Sequence, residues 1–276
     1  MKIAVLSGKG GTGKTTVSAS LALSLDKFQY VDCDVEEPNG YIFLKPKIDK
    51  STLINVLIPK INEAKCNYCG ECGKACQYNA IAVIKENVLL FPEICHHCGA
   101  CVLTCKQKAI DETERNIGVI ESTSNNDFMQ GLLNVGEPIS MPIIRKLKKY
   151  LRKDVTVILD CPPGASCSVV ESIEGCDYCV LVTEPTPFGL HDLKIAVKLV
   201  KKMEIPFGVV INKASQEDLS IQNFCSDSNI EILMEIPYSK EIAQAYSNGI
   251  LPIYLENKYK ESFVKLYEKM ERSTKK

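Results

Sequence analysis

An α/β fold, with a mostly parallel sheet sandwiched by helices, is the architecture this sequence predicts. Three observations carry that expectation. Short apolar runs alternate with helical periods at both ends of the chain, the pattern of parallel βαβ units. A glycine-rich turn, Gly8-Lys9-Gly10-Gly11-Thr12-Gly13-Lys14-Thr15, stands between the first run and the first helical period. Asp34, Asp160 and Asn212 each close an apolar run, and open α/β sheets place their sites at the carboxyl ends of strands.

The elements follow in order. Ile3–Leu6 is a short buried strand, and Thr15–Leu25 carries Val17, Leu21 and Leu25 on one helical face. Residues 29–34 form a second strand that ends in the acids Asp32 and Asp34. From about Ala64 to Glu112 the texture changes to closely spaced cysteines, glycines and short turns. The chain therefore divides into a discontinuous domain, residues 1–63 and 113–276, and a small inserted α+β segment, residues 64–112. Strand–helix alternation resumes at Val155–Leu159, which runs into Asp160-Cys161-Pro162-Pro163-Gly164. Tyr178–Thr183 is the next strand, followed by a helix from about Leu190 to Lys202, then strands at Phe207–Ile211 and Glu231–Ile236. Near the end, Phe263, Leu266, Tyr267 and Met270 recur at helical spacing, an apolar stripe that docks on the parent domain.

Composition excludes several classes. Hydrophobic residues at 45% and charged residues at 24% are those of a globular protein. A formal net charge of −1 gives no overall pull toward nucleic acid or anionic membrane. No apolar run approaches the length of a membrane span, and Met1-Lys2 leads into too short a run for a signal peptide. The chain reads as cytoplasmic, where fourteen cysteines argue for metal ligands and buried thiols rather than disulfides.

The glycine-rich turn has the chemistry of a phosphate loop. Gly8, Gly10, Gly11, Thr12 and Gly13 let consecutive N–H groups turn toward a polyphosphate, and the following helix offers its positive N-terminus. Lys14 reaches the β and γ phosphates, while the hydroxyls of Thr15 and Thr16 open the helix, Thr15 on Mg²⁺. Asp160 ends an apolar strand, where a carboxylate holds Mg²⁺ through water. The early Lys9 is unusual, and with it the loop resembles the deviant Walker A of the MinD/ParA/nitrogenase-iron-protein ATPases. That resemblance covers residues 1–44 and about 117–255. It implies a P-loop NTPase fold and a homodimer closing over two ATP molecules, with Lys9 reaching across to stabilise transition-state charge. It also implies a second switch at Asp160–Gly164, where the Gly164 N–H swings onto the γ-phosphate. In the first switch, Asp34 orients the attacking water and Asp32 belongs to the outer Mg²⁺ shell. Asn212 and Pro237 match the positions that hold the base. A guanine reader wants Asp two residues after Lys213, where Ser215 stands, so ATP is favoured.

Eight of the cysteines repeat one spacing, C-x2-C-x2-C-x3-C, at Cys66, Cys69, Cys72 and Cys76 and again 29 residues on at Cys95, Cys98, Cys101 and Cys105. A cubane cluster takes three closely spaced thiolates and a fourth from a distance. The run resembles that of two-cluster bacterial ferredoxins, in which the fourth cysteine serves the other cluster. The resemblance implies one [4Fe–4S] cluster on Cys66, Cys69, Cys72 and Cys105, and another on Cys95, Cys98, Cys101 and Cys76. Gln77 and Lys106 replace the ferredoxin proline after each fourth cysteine, restoring an N–H donor that favours the reduced cluster. Cys176-x2-Cys179 is a weaker metal candidate, since two strand residues three apart face opposite sides.

The whole chain resembles MinD-superfamily ATPases with an inserted ferredoxin domain. The resemblance implies an ATPase whose nucleotide state controls electron transfer to a redox partner. A cluster carrier or metallocofactor-assembly ATPase is the second expectation, and a MinD-like positioning ATPase the third.

Overall fold

A computed structural model of the protein describes residues 1–215 and 217–274. The chain opens with β1 (Lys2–Leu6), α1 (Lys14–Leu23), β2 (Phe28–Asp32) and the short α2 (Gly40–Leu44). A long strand follows, β3 (Lys50–Ile61), and then the cysteine segment with α3 (Glu71–Ala75), β4 (Ile81–Ile84), β5 (Asn87–Leu90) and α4 (Ala100–Thr104). The chain returns through β6 (Ile110–Ser122) and β7 (Phe128–Leu133) to α5 (Met141–Lys148), β8 (Thr156–Asp160), α6 (Cys167–Ile173) and β9 (Tyr178–Thr183). It closes with α7 (Pro187–Lys202), β10 (Phe207–Ala214), α8 (Ser220–Asp227), β11 (Ile232–Pro237), α9 (Lys240–Ser247) and α10 (Asn257–Thr274).

Nine strands form one sheet in the order β11-β10-β9-β1-β8-β2-β7-β6-β3. From β11 to β7 all pairs are parallel, whereas β6 is antiparallel to both β7 and β3. Apolar side chains fill both faces, as a parallel sheet buried on two sides requires. One face packs against α5–α8 through Ile143, Leu147, Val169, Leu193 and Ile221. The other receives Val17 and Leu21 of α1 and Phe263, Leu266 and Met270 of α10. The C-terminal stripe thus docks on its own domain. No helix among the described residues is long and apolar enough to cross a membrane.

The strand β3–β6 ladder was not legible in the sequence, and it determines where the cysteines go. It runs from Lys50 opposite Ser122 to Ile61 opposite Ile110. Only residues 118–122 of β6 also pair with β7, ending at Gly118 opposite Leu133. Leu133 is the carboxyl end of β7, which lies parallel to β2. The rest of the ladder therefore continues past the carboxyl edge of the sheet, about 25 Å at ~3.4 Å per residue. It forms a two-stranded ribbon with the cysteine segment at its far end. That same edge carries the glycine-rich loop after β1.

The 29-residue repeat is also structural. Helices α3 and α4 follow left-handed Gly70 (φ 78°) and Gly99 (φ 70°). Tyr68 and His97, and Asn79 and Lys108, take matching positive φ values. Ala80 N–H donates to Cys76 Sγ at 3.3 Å, and Ala109 N–H donates to Cys105 Sγ at 3.2 Å.

Candidate functional site

A cleft of about 670 Å³ opens at the carboxyl edge and is lined by Lys9, Gly10, Gly11, Gly13, Lys14, Thr15 and Thr16. Asp34, Pro162, Asn212 and Pro237 also line it, with Tyr238 and Tyr246 on its more apolar side. Five of the strands, β1, β2, β8, β10 and β11, thus deliver their carboxyl ends, or the loops after them, to one place. Helix α1 begins at Lys14 with no side-chain cap, after Gly13 at φ 91°. Its first N–H groups are left to an external acceptor, an arrangement suited to an anion. A side chain at Gly13 would meet Asn212 Nδ2 at 2.1 Å, which makes glycine obligatory there. Asn212 Nδ2 itself donates to the Thr12 carbonyl at 2.8 Å and braces the loop.

The Lys14 ammonium is nearly buried, 2.9 Å from Asp160 Oδ1 and 3.6 Å from Asp34 Oδ2. Burial disfavours its charge, but Asp160, Asp34 and Asp32 more than offset this, and its pKa rises. Asp160 is fully buried and also accepts from the Tyr30 hydroxyl at 2.9 Å. Asp34 is pushed up to about 6, first by burial and then by Asp160, against the pull of Lys14. Asp32 is fully buried, and its two oxygens accept from the N–H groups of Asp34, Asn39 and Gly40 at 2.9–3.1 Å. It holds the chain after β2 in a tight loop rather than facing the cleft. Burial, and then the Asp160 charge, push its carboxyl up to about 8. Gly164 takes a positive φ of 92°, and its N–H donates to the Ser7 carbonyl at 2.8 Å. Gly8 lies against Asp192, where an added Cβ would come within 2.3 Å of that side chain.

Two participants escaped the reading of the sequence. Glu184 bridges Lys9 Nζ at 2.7 Å and Lys213 Nζ at 2.9 Å, which holds Lys9 within its own chain. Glu184 follows β9 directly, so the rule that picked out Asp160 at a strand end would have found it. Tyr30 had no such signal, because nothing in an apolar strand distinguishes a tyrosine that serves a carboxylate from one that fills the core.

The cysteine segment holds two smaller cavities. One is lined by Cys66, Cys69, Cys72 and Cys105, the other by Cys76, Cys95, Cys98 and Cys101. These are the crossed quartets. Among the described residues no three His, Cys, Asp or Glu side chains converge on a point suited to a single metal ion; the four cysteines of each quartet line a cavity instead. Burial raises the Cys72, Cys95 and Cys101 thiols, the last to about 11, as it does for any thiolate lacking a counter-charge. Cys176 and Cys179 differ from expectation. Cys176 precedes β9, so strand alternation does not separate the two, and both pack in the core that also holds Cys33 and Cys161. The pKa values of all four rise through burial, the mark of inert core thiols.

Comparison with known proteins bears on the nucleotide cleft. An uncharacterized protein of Methanocaldococcus jannaschii is 33% identical over 259 residues, covering 90% of each chain. An iron-sulfur cluster carrier protein of Pyrococcus horikoshii is 24% identical, over 98% of this chain and 85% of its own. The crystal structure of the Pyrococcus furiosus cell division ATPase MinD shares the fold, with a TM-score of 0.59 at 21% identity over 98% of both chains. The family model of the CobQ/CobB/MinD/ParA nucleotide binding domain matches residues 3–253. The strand order, the uncapped first helix and that match agree, and the chain belongs to this family of nucleotide-binding ATPase domains.

Proposed function

We propose that the protein is a homodimeric nucleotide switch that couples ATP turnover to electron transfer, through two [4Fe–4S] clusters, to a redox protein partner. The observation that carries this reading is the pair of four-cysteine cavities, mounted on a ribbon that leaves the nucleotide edge of the sheet. The donor sets fit the clusters: eight thiols in two groups of four, with backbone N–H groups of Tyr68, Ala80 and Ala109 already aimed at sulfur. Cys66, Cys69, Cys72 and Cys105 would hold one, and Cys76, Cys95, Cys98 and Cys101 the other. When bound, the clusters supply reversible one-electron storage.

The remaining work falls to the cleft. The first N–H groups of α1 and the Lys14 ammonium receive the phosphates, and the Thr15 hydroxyl and Asp160 would hold Mg²⁺, which would offset phosphate charge. Asp32 keeps the first switch loop folded through its three backbone hydrogen bonds. Asp34 accepts the proton side of the attacking water and orients it. Gly164 releases Ser7 to meet the γ-phosphate, and Lys9 leaves Glu184 to reach the partner protomer's nucleotide. Asn212 and Pro237 flank the base. Titrating the clusters with and without a non-hydrolysable ATP analogue tests the coupling. An interaction of about 1–3 kcal/mol between sites corresponds to a shift of about 40–130 mV for one electron. Potentials unchanged by nucleotide would overturn the reading.

The raised pKa of Asp34 gives a second expectation. An aspartate titrating near 6 is protonated below that value and cannot orient water by accepting its proton. The kcat/KM for ATP is expected to be flat above this point and to fall about tenfold per pH unit below it. Asp34→Asn is expected to lower the rate by about 10²–10⁴ and to abolish that acid limb. A limb of unchanged midpoint in the variant would assign it to another group.

A cluster carrier is the second reading. Cys69 and Cys98 are exposed, and the Pyrococcus horikoshii relative is named an iron-sulfur cluster carrier protein. Incubation of the iron-loaded protein with an apo acceptor separates the two. Iron transfer favours the carrier, and electron transfer without iron loss favours the switch.

A further inference from the structure

The two carboxylate oxygens of Asp160 have different neighbours. Oδ1 faces Lys14 Nζ of the phosphate loop at 2.9 Å, and Oδ2 accepts from the Tyr30 hydroxyl at 2.9 Å. The register of the sheet brings the second pair together. Asp32 stands opposite Asp160, and Tyr30 opposite Ile158. Tyr30 therefore lies one pleat back from Asp160, on the same face.

The tyrosine has little freedom of its own. It is fully buried, and its ring stacks on Phe128 of β7 with centroids 5.8 Å apart and planes within 4° of parallel. Gly40, at the start of α2, closes over it: a Cβ there would come within 2.5 Å of Tyr30 Cε1 and 2.9 Å of the hydroxyl oxygen. Ser18 Oγ lies 3.0 Å from that oxygen. The single phenolic proton goes to Asp160, so Ser18 is the donor in this contact. Its hydroxyl also reaches the Thr15 carbonyl at 3.1 Å. A chain of hydrogen bonds thus runs from α1 through β2 to the carboxylate that ends β8.

Asp160 and the Thr15 hydroxyl are oxygen donors, the kind a hard divalent cation takes, and Oδ1 is the carboxylate oxygen turned toward the phosphate loop. Resting on the assignment of Asp160 to the Mg²⁺ shell above, we propose that Tyr30 is a positioning residue that sets the cation selectivity of the ATPase. By fixing Oδ2 it leaves Oδ1 alone to face the cation's shell, in one place and at one angle. Octahedral ligation of Mg²⁺ tolerates little displacement of a ligand, whereas the larger, looser shell of Ca²⁺ accepts one carboxylate oxygen or both. A carboxylate free to turn serves either cation. One pinned by Tyr30 favours Mg²⁺.

The test measures binding rather than turnover. The full-length wild type, Tyr30→Phe and Ser18→Ala are titrated with a fluorescent non-hydrolysable ATP analogue in Mg²⁺, in Ca²⁺ and with metal chelated. The wild type is expected to bind more tightly with Mg²⁺ than with Ca²⁺. Tyr30→Phe removes one oxygen and keeps the ring, and the ratio of the two affinities is expected to fall about tenfold, the scale of one hydrogen bond to a charged group. Ser18→Ala keeps the bond to Asp160 but removes the donor behind it, and is expected to move the ratio the same way by less. A loosened core, or a change in how firmly Asp160 holds Lys14, alters binding with both cations alike and leaves the ratio where it was. Equal affinities with the two cations in the wild type, or a ratio that survives Tyr30→Phe, would overturn the assignment. If Tyr30→Phe does not fold, a ratio unchanged in Ser18→Ala overturns it. Wild-type binding indifferent to chelation would instead remove the metal reading of Asp160 on which it rests.

Discussion

Lys14→Ala is expected to abolish ATP hydrolysis and, separately, to destabilise the nucleotide-free protein. The second effect follows from what the ammonium does before any nucleotide arrives. Asp160 is fully buried and keeps only the Tyr30 hydroxyl once Lys14 is gone, while Asp32 lies buried beside it. Removing one partner of a buried ion pair typically costs about 3–5 kcal/mol, because the other charge is left uncompensated. For a domain of this size that is a fall of roughly 6–20 °C in Tm, at about 2–4 °C per kcal/mol. The pH dependence has a definite sign. Asp32 has a folded pKa of about 8 against an ordinary 3.8, and Lys14 is one of the groups holding it down. An acid whose folded pKa is raised keeps its proton longer in the native state, so its contribution to stability is lost as pH rises from about 4 to about 8. Without Lys14 that window extends upward, and the deficit of the variant is expected to widen between pH 6 and 9. Thermal unfolding across that range checks it; a variant as stable as the wild type at every pH would show that the carboxylates do not depend on the ammonium.

The residues involved show which parts of the molecule could be read from the chain. The sequence locates Tyr178–Thr183 to the residue, and the first and last strands to within one, because each is a short apolar run bounded by turn chemistry. The positions of the phosphate loop, Asp34, Asp160 and Asn212 were legible for the same reason, since strand ends are where an open sheet gathers its polar groups, whereas Pro237 was offered by the family resemblance. The ribbon was not. Residues 111–116 of β6, Asp-Glu-Thr-Glu-Arg-Asn, carry the composition of a solvated turn. Beyond the sheet edge the ladder lacks a large core to bury, and pairing with β3 holds it extended instead. Hydrophobic periodicity has little to detect in such a strand. The same gap hid the ion pair of Arg115 on β6 with Glu137 after β7, at 2.6 Å, whose partners are joined only once β6 and β7 lie side by side. Asp32 illustrates a different limit. Its place at a strand end is visible in the sequence, whereas its use as an acceptor for three backbone N–H groups depends on how the following loop closes.

On the proposed two-cluster reading, Cys105→Ser is expected to remove the cluster assigned to the first cysteine run, not that of its own. Position in the sequence groups Cys105 with Cys95, Cys98 and Cys101, but its side chain lines the cavity of Cys66, Cys69 and Cys72. Cys105 and Cys66 variants are therefore expected to share one phenotype, loss of about four of eight irons per chain, and Cys76 and Cys95 variants the complementary one. Iron content and the surviving paramagnetic signal distinguish the pairs. A Cys105 variant that loses the same signal as a Cys95 variant would overturn the crossed arrangement. The segment has little else to hold it together. Its apolar groups are small, Ile58 with Ala80 and Cys95 in one and Ile81 with Cys101 and Ile110 in the other. Where a core is that small, metal binding supplies much of the folding free energy. Removing one cluster is then expected to loosen one end of the segment, and removing both to unfold it. The nine-stranded sheet has its own two-sided core and should keep hydrolysing ATP. Hydrolysis that survives the loss of both clusters while its coupling to electron transfer disappears would place the nucleotide chemistry in the sheet and the redox chemistry at the end of the ribbon.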